Sequence, residues 1–433
     1  MMTSDAPTLA VAFDELSFPT SLAIGEDGSF YIAESGLAFG GAPPGGRIWH
    51  LAPDATRTLL VQNLRAPVNG LALHDGRLYV SEGGYPGRIS RFDLNGRLQK
   101  VILDNLPGRG NYHTNMVVFG PDGKLYFSQG AMTNTGIIGL DAYELGWLRR
   151  LPHNYDLPGY EIVLQGVNIE TPNPLAKEAG TYTQTGAFAP FGERTAPGQR
   201  IAAQLPCTAA VMRCNEDGSD LELVAWGLRN AYGLGFLPDG RLLAVDQGAD
   251  DRGSRPVGKV PDFLFEVRQG AWYGWPDFIG DIPITDARYQ PARGAPPTFL
   301  LANHNELPPP EKPLLCFPPH SAAVKFEVMP ERASRWAGHL LVALFGDEVP
   351  MTSPSGPKIG RSVVRIDPSD WSMHPFARGG LLRPIDTRFH PKENALYILD
   401  FGYFEMLDNG TVKADAMSGK LWRCTLFKSD ESR

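Results

Sequence analysis

Short apolar runs, each pair joined by a turn, recur along the chain, and their unit is a hairpin. Asn111 to Ala131, NYHTNMVVFGPDGKLYFSQGA, shows it whole. Met116-Val117-Val118-Phe119 is β-branched and aromatic, and Leu125-Tyr126-Phe127 is the second run. Pro121-Asp122-Gly123 between them is a turn, because proline presets φ and glycine tolerates positive φ. His113, Asn115, Ser128 and Gln129 form a polar mouth. The pattern returns from Phe18 to Gly36, Ala66 to Gly84, Leu228 to Ala249 and Arg383 to Gly402, with a more divergent copy from His320 to Glu348. The turn glycines Gly28, Gly76 and Gly123 lie 48 and 47 residues apart, and a four-stranded propeller blade takes about 40–45 residues. Six copies therefore predict an all-β fold: a six-bladed β-propeller with little helix, whose radial closure protects the sheet edges.

The intervening pattern fills in the blades. Arg47–His50 and Thr58–Val61 read as outer strands of the first blade, and Arg88–Phe92 and Gln99–Leu103 as those of the second. A strand over Leu9–Phe13 is expected to close the ring against Leu421–Cys424. Three long segments interrupt the repeat, at about 132–206, 249–319 and 346–360, inside a single propeller domain spanning 1–433. Segments of that length with no regular pattern are usually lids or binding loops. The glycine-rich loop Gly40–Gly46 precedes no helix, so it is read as a connection and not as a phosphate cradle.

Composition narrows the partners. The chain of 433 residues has a net charge of −8 and no run of lysine or arginine, which argues against nucleic acid. No apolar run approaches the roughly 18 residues of a membrane span. The expected partner is a small molecule, a sugar, alcohol or lactone; the sequence does not indicate an oligomeric state. The first residues, MMTSDAPTLAVAFDEL, lack the basic and apolar regions of a signal peptide. The expected location is cytoplasmic, or periplasmic or extracellular if a signal has been removed. Cys207 and Cys214 are near enough in sequence to pair, but four free thiols, with Cys316 and Cys424, are the expectation.

Several pieces, in order, resemble the glucose/sorbosone dehydrogenase family, six-bladed propellers related to the soluble quinoprotein sugar dehydrogenases. They are His113-Thr114-Asn115 with FGPDGKLYF, then Gly227-Leu228-Arg229-Asn230-Ala231-Tyr232-Gly233-Leu234, PDGRLLAVDQG, Tyr273-Gly274-Trp275-Pro276, His320-Ser321-Ala322 and Arg383-Pro384. The resemblance implies a sugar or alcohol dehydrogenase-like oxidoreductase that uses pyrroloquinoline quinone (PQQ) with Ca²⁺ at the channel mouth. His113 would be the base that takes the hydroxyl proton, and an imidazole of ordinary pKa near 6.5 suits that task. Arg229 and Asn230 would meet the quinone oxygens and Arg383 the cofactor carboxylates, with Asn115 and His320 beside them. Gly248, Asp250 and Asp251 would lie in the calcium loop. Two positions depart from the family's pattern: Ala131 stands where an aspartate would orient the histidine, and Phe345 where a lysine would hold the cofactor.

Other readings use the same residues. Gluconolactonase-like propellers hold a divalent metal on the axis through oxygen ligands. Asn69, Asn115 and Asn230 form such a set here, with Glu34, Glu82, Asp246 and Asp400 after the paired strands. A non-catalytic binding propeller needs none of this chemistry. Taken alone, His113 is a hydrogen-bonding loop residue, Arg229 a structural cation, Asp250 and Asp251 a solvated turn, and Trp272 and Trp275 packing. The discriminating expectation is geometric. His113, Asn115, Arg229, Asn230, His320 and Arg383 all precede the first run of their repeat, so they should meet at one end of the channel, under the long insertions.

Overall fold

The computed structural model describes residues 7–84, 86–108, 110–407 and 409–426; residues 1–6, where the N-terminal segment begins, lie outside them. Each of the six hairpins forms the two inner strands of an antiparallel blade, four-stranded except in blade 3, where Ala271–Trp272 adds a fifth strand in parallel. The innermost strands are Pro19–Ile24, Val68–His74, Thr114–Phe119, Ala231–Phe236, Ala323–Val328 and Pro384–Phe389, in blades 1 to 6. Each touches the next, and the sixth touches the first, so the ring is closed. In such a ring, blade 3 faces blade 6 across the axis.

The outer strands follow the pattern. Blade 1 adds Gly46–Leu51 and Arg57–Leu64, and blade 2 adds Gly87–Asp93 and Leu98–Leu106. The last blade takes its outermost strand from the other end of the chain. Thr8–Leu16 pairs antiparallel with Gly419–Thr425, in the register Leu9 with Cys424 and Phe13 with Leu421. Joining the two ends of the chain in one sheet leaves no gap in the ring.

Long connections interrupt blades 3, 4 and 5. Between Leu125–Gln129 and Ala210–Cys214 lie one short helix, Leu140–Glu144, and two small strand pairs. The four cysteines are free. Trp272 is fully buried and stacks on Trp226, while Trp275 donates from its indole nitrogen to the Asn134 carbonyl, so both tryptophans pack the interior. Among the described residues, no helix is long and apolar enough to cross a membrane.

In four of the six blades a carboxylate ties the hairpin to the segment that leads into it. The second strand ends on Glu34, Glu82, Asp246 and Asp400 in blades 1, 2, 4 and 6. Each accepts a main-chain N–H just before the innermost strand of its own blade, from Ser17, Arg65, Asn230 and Arg383, at 2.7 to 2.8 Å. In blade 5 the equivalent residue is Leu344, and Asp262 from blade 4 accepts from Ala323 instead, at 2.8 Å. These acids stabilise donors that would otherwise be buried without partners. Burial pushes Asp246 up to about 7 and Asp262 up to about 6.

One side chain links opposite sides of the ring. Lys325, on the innermost strand of blade 5, reaches across the axis. Its Nζ donates to the Thr20 carbonyl of blade 1 at 2.6 Å and to the Asn69 carbonyl of blade 2. Asp386 of blade 6 lies 4.0 Å from the same nitrogen. Burial lowers Lys325 to about 7.

Candidate active site

Above Lys325 opens a cavity of about 660 Å³. His113, Asn115, Arg229, Asn230, Gly248, Asp250 and His320 line it, while Asp251 and Arg383 do not. All three long insertions contribute to its rim, through residues such as Trp147, Arg252 and Met351.

The floor on the polar side is a chain of amides. Asn69 donates to Asn115 Oδ1 at 3.3 Å, Asn115 donates to Asn230 Oδ1 at 2.8 Å, and Asn230 donates to Gln247 Oε1 at 2.7 Å. Two of the three asparagine oxygens in the alternative metal set are therefore occupied by neighbouring amides. Among the described residues, no group of three or more His, Cys, Asp or Glu is arranged to hold a metal.

His113 owes its place to missing side chains. A Cβ on Gly83 would lie 2.7 Å from the His113 Cβ, and one on Gly130 would lie 2.4 Å from the Tyr112 Cβ. Both glycines directly follow the second strand of their blade, so the hairpin mouths of blades 2 and 3 leave room for the imidazole. With alanine at position 131, it is the Gly108 carbonyl that orients the ring, 3.2 Å from Nδ1. That contact makes Nδ1 the protonated nitrogen and leaves Nε2 a lone pair. Burial lowers the pKa of His113 below its ordinary value, which keeps the ring neutral.

Arg229 is held from every side. Its Nε donates to the Asn134 carbonyl at 3.1 Å, Nη1 to the Gly248 carbonyl at 2.5 Å, and Nη2 to Asn134 Oδ1 at 2.7 Å and Asp250 Oδ2 at 3.0 Å. The Tyr112 hydroxyl also accepts from Nη2. The Gly248 carbonyl and the Asp250 carboxylate, both expected in a calcium loop, thus face a guanidinium. Asp251 points elsewhere and accepts from the main-chain nitrogens of Ala292 and Arg293, at 2.7 and 3.1 Å.

Arg383 sits beneath the cavity, 1% exposed. It donates to the carbonyls of Gly346, Asp347 and Phe404, at 2.7 to 3.0 Å, and pairs with Glu405 at 3.3 Å. Its guanidinium lies 5.0 Å from the centre of the Phe345 ring.

Sequence reasoning did not single out Tyr112, Arg252 or Glu348. Arg252 is buried at the cavity wall, 3.4 Å from Asp250, and its Nε and Nη1 have no hydrogen-bond partner among the described residues. The third insertion brings Glu348 to the wall, and burial raises its pKa. The adjacency of Tyr112 to His113, and the arginine within Ala249-Asp250-Asp251-Arg252, were the only local signals available. Phe401, Phe404 and Met406 of blade 6 also line the cavity, and the repeat pattern marks Phe401 as the equivalent of Phe345.

No family model and no curated protein sequence matches the chain. Solved structures do match in fold. A protein named as an oxidoreductase (glucose dehydrogenase) from Thermus thermophilus is 17% identical, with a TM-score of 0.57 over 96% of this chain and 99% of that one. The PQQ-bound aldose sugar dehydrogenase of Streptomyces coelicolor is 14% identical, with a TM-score of 0.55 over 97% and 98%. The PQQ domain of pyranose dehydrogenase from Coprinopsis cinerea, in its holo form, is 13% identical, with a TM-score of 0.56 over 97% of both chains. The six-bladed propeller is what this chain shares with them.

Proposed function

We propose that the cavity is the active site of a sugar or alcohol dehydrogenase-like oxidoreductase, with His113 as general base. The observation that carries this reading is the state of His113. It is a neutral imidazole at the cavity wall, anchored through Nδ1 on Gly108, with no partner on Nε2 among the described residues. A hydroxyl group placed there would give its proton to Nε2 while the hydride on its carbon passes to a separate two-electron acceptor, which the dye-linked assay has to supply. General-base help of this kind contributes about 10²–10⁴-fold. Asn115 and Asn230 line the same cavity, and their linked amides make its wall polar on that side. The likeness in fold to sugar dehydrogenases supports the same reaction class.

PQQ with Ca²⁺ is the oxidant that the resemblance implies, and the described residues do not fit its three carboxylates. Bound carboxylates call for guanidinium forks or a metal. Arg229 and Arg383 already direct their donors to protein acceptors, and Phe345 offers no charge. The described charged residues lining the cavity are Arg150, Arg229 and Arg252 against Asp250, Asp262 and Glu348, so three cations meet three acids and little net field remains for a trianion. We therefore assign this chain the proton half of the oxidation only.

The deciding experiment is dye-linked turnover of a panel of sugars and alcohols, with and without added PQQ and Ca²⁺, alongside calorimetric titration of PQQ. Oxidation that disappears in His113→Gln supports the reading. If no sugar or alcohol is oxidised under any of these conditions, the reading falls, and metal-dependent lactone hydrolysis becomes the reaction to assay.

A further inference from the structure

One position in the repeat carries different chemistry around the ring, and in blades 1, 4, 5 and 6 it lines the cavity. The residue after the second strand is Ser35, Gly83, Gly130 and Gln247 in blades 1 to 4, and Phe345 and Phe401 in blades 5 and 6. Phe345 and Phe401 meet edge to face, with ring centres 5.4 Å apart. Phe404 packs 5.6 Å from Phe401 and 5.4 Å from Phe39 of blade 1. Together they form a continuous aromatic wall.

That wall stands opposite the polar one. Blade 6 faces blade 3, which carries His113. Among the described residues, blade 6 contributes only Ile385, Phe401, Phe404 and Met406 to the cavity. Phe39, Phe345 and Met406 are only half-buried, so the wall keeps apolar surface turned to the opening. A ligand with hydroxyls on every side would lose their water there and gain no hydrogen bond in return. An apolar body would instead release water from the rings.

The volume points the same way. About 660 Å³ falls within the roughly 300–1,000 Å³ of pockets that take drug-sized ligands, which are mostly apolar with a few placed polar groups.

Resting on the assignment of His113 as base for a hydroxyl, we infer that the substrate is an amphipathic alcohol. Its hydroxyl end lies against His113, Asn115 and Asn230. An aromatic or branched apolar body lies against Phe39, Phe345, Phe401, Phe404 and Met406. A simple, fully hydroxylated sugar leaves this second wall unused.

The test separates binding from turnover. Cinnamyl alcohol and D-glucose serve as probes of the two classes, titrated calorimetrically into the wild-type chain, Phe39→Ser, Met406→Lys and His113→Gln. Both wall positions are half-buried, so neither change empties a fully buried site. The wild type is expected to bind cinnamyl alcohol at least about 10-fold tighter than glucose, the scale on which apolar pockets discriminate. Each wall variant should lower that preference by a similar factor. His113→Gln should keep it while losing turnover. A preference that survives both wall variants, or equal binding of the two probes, overturns the inference. Cinnamyl alcohol held by the wall but never oxidised supports the amphipathic site and overturns the base assignment instead.

Discussion

The two halves of the cavity rim are built from the same repeat and do opposite things. In blades 2 and 3 the residue after the second strand is Gly83 or Gly130, and the space it leaves is filled by Tyr112 and His113. In blades 5 and 6 the same position is Phe345 or Phe401, and the side chain itself fills the space. The polar half is made by main-chain turns that admit side chains from the segment leading into blade 3. The apolar half is made by the repeat's own side chains. One position in a repeated hairpin thus decides whether a blade offers chemistry or packing, while the strands beneath it stay alike.

The largest effect is expected from the polar half. His113→Gln should reduce turnover about 10²–10⁴-fold while leaving ligand affinity nearly unchanged, as checked by parallel kinetics and calorimetry. The pH profile gives a second check. Because burial lowers the pKa of His113, kcat/KM should rise with pH below the ordinary histidine value near 6.5 and be level above it. An imidazolium cannot accept the proton, so the sign is fixed: activity is lost as pH falls. A profile that rises only well above neutrality would point to a different base.

Exchanging the character of one position between the halves should affect stability next. Phe401 is 6% exposed and packs on Phe18, Phe345 and Phe404. Phe401→Ala should cost about 3–5 kcal/mol, as large-to-small changes of buried aromatics do. Gly130→Val should cost about 1–3 kcal/mol by overpacking, and it should also lower turnover, because the new side chain displaces Tyr112 and His113. Denaturant unfolding measures both. If Phe401→Ala abolishes turnover on small alcohols while Gly130→Val does not, the division of labour between the halves is wrong.

The smallest effect concerns the residue that ties the halves together. Lys325 spans from blade 5 to blades 1 and 2 beneath the cavity. Its folded pKa of about 7 lies below the unfolded value near 10.4. Between these values the unfolded chain binds more protons, so the Lys325 contribution grows with pH, by up to about 1.4 kcal/mol per pH unit. Lys325→Met should remove that slope. The measurement is the difference in unfolding free energy between wild type and variant at pH 7, 8 and 9; a constant difference would refute the buried, deprotonating lysine.

The sequence by itself determined the ring. Alternating apolar runs around Pro-Asp-Gly-type turns fix strands locally, and six copies leave each sheet a neighbour to pack on. The closing strand was legible for the same reason, since Leu9–Phe13 and Leu421–Cys424 both carry strand patterns and pair with each other. That His113, Asn115, Arg229, Asn230 and His320 share one cavity followed from their place in the repeat. What those residues do there was decided by tertiary contacts. Arg229 is engaged by Asn134, 95 positions away, and Arg383 by carbonyls of Gly346 and Asp347. The Gly108 carbonyl orients His113 where the pattern held a place for an aspartate at Ala131. The acids Glu34, Glu82, Asp246 and Asp400 hold main-chain donors. Periodicity records which face of a strand is buried, because burial acts on each residue separately. A hydrogen bond depends on two groups meeting, and which acceptor reaches a guanidinium first is settled only when distant segments are folded against each other.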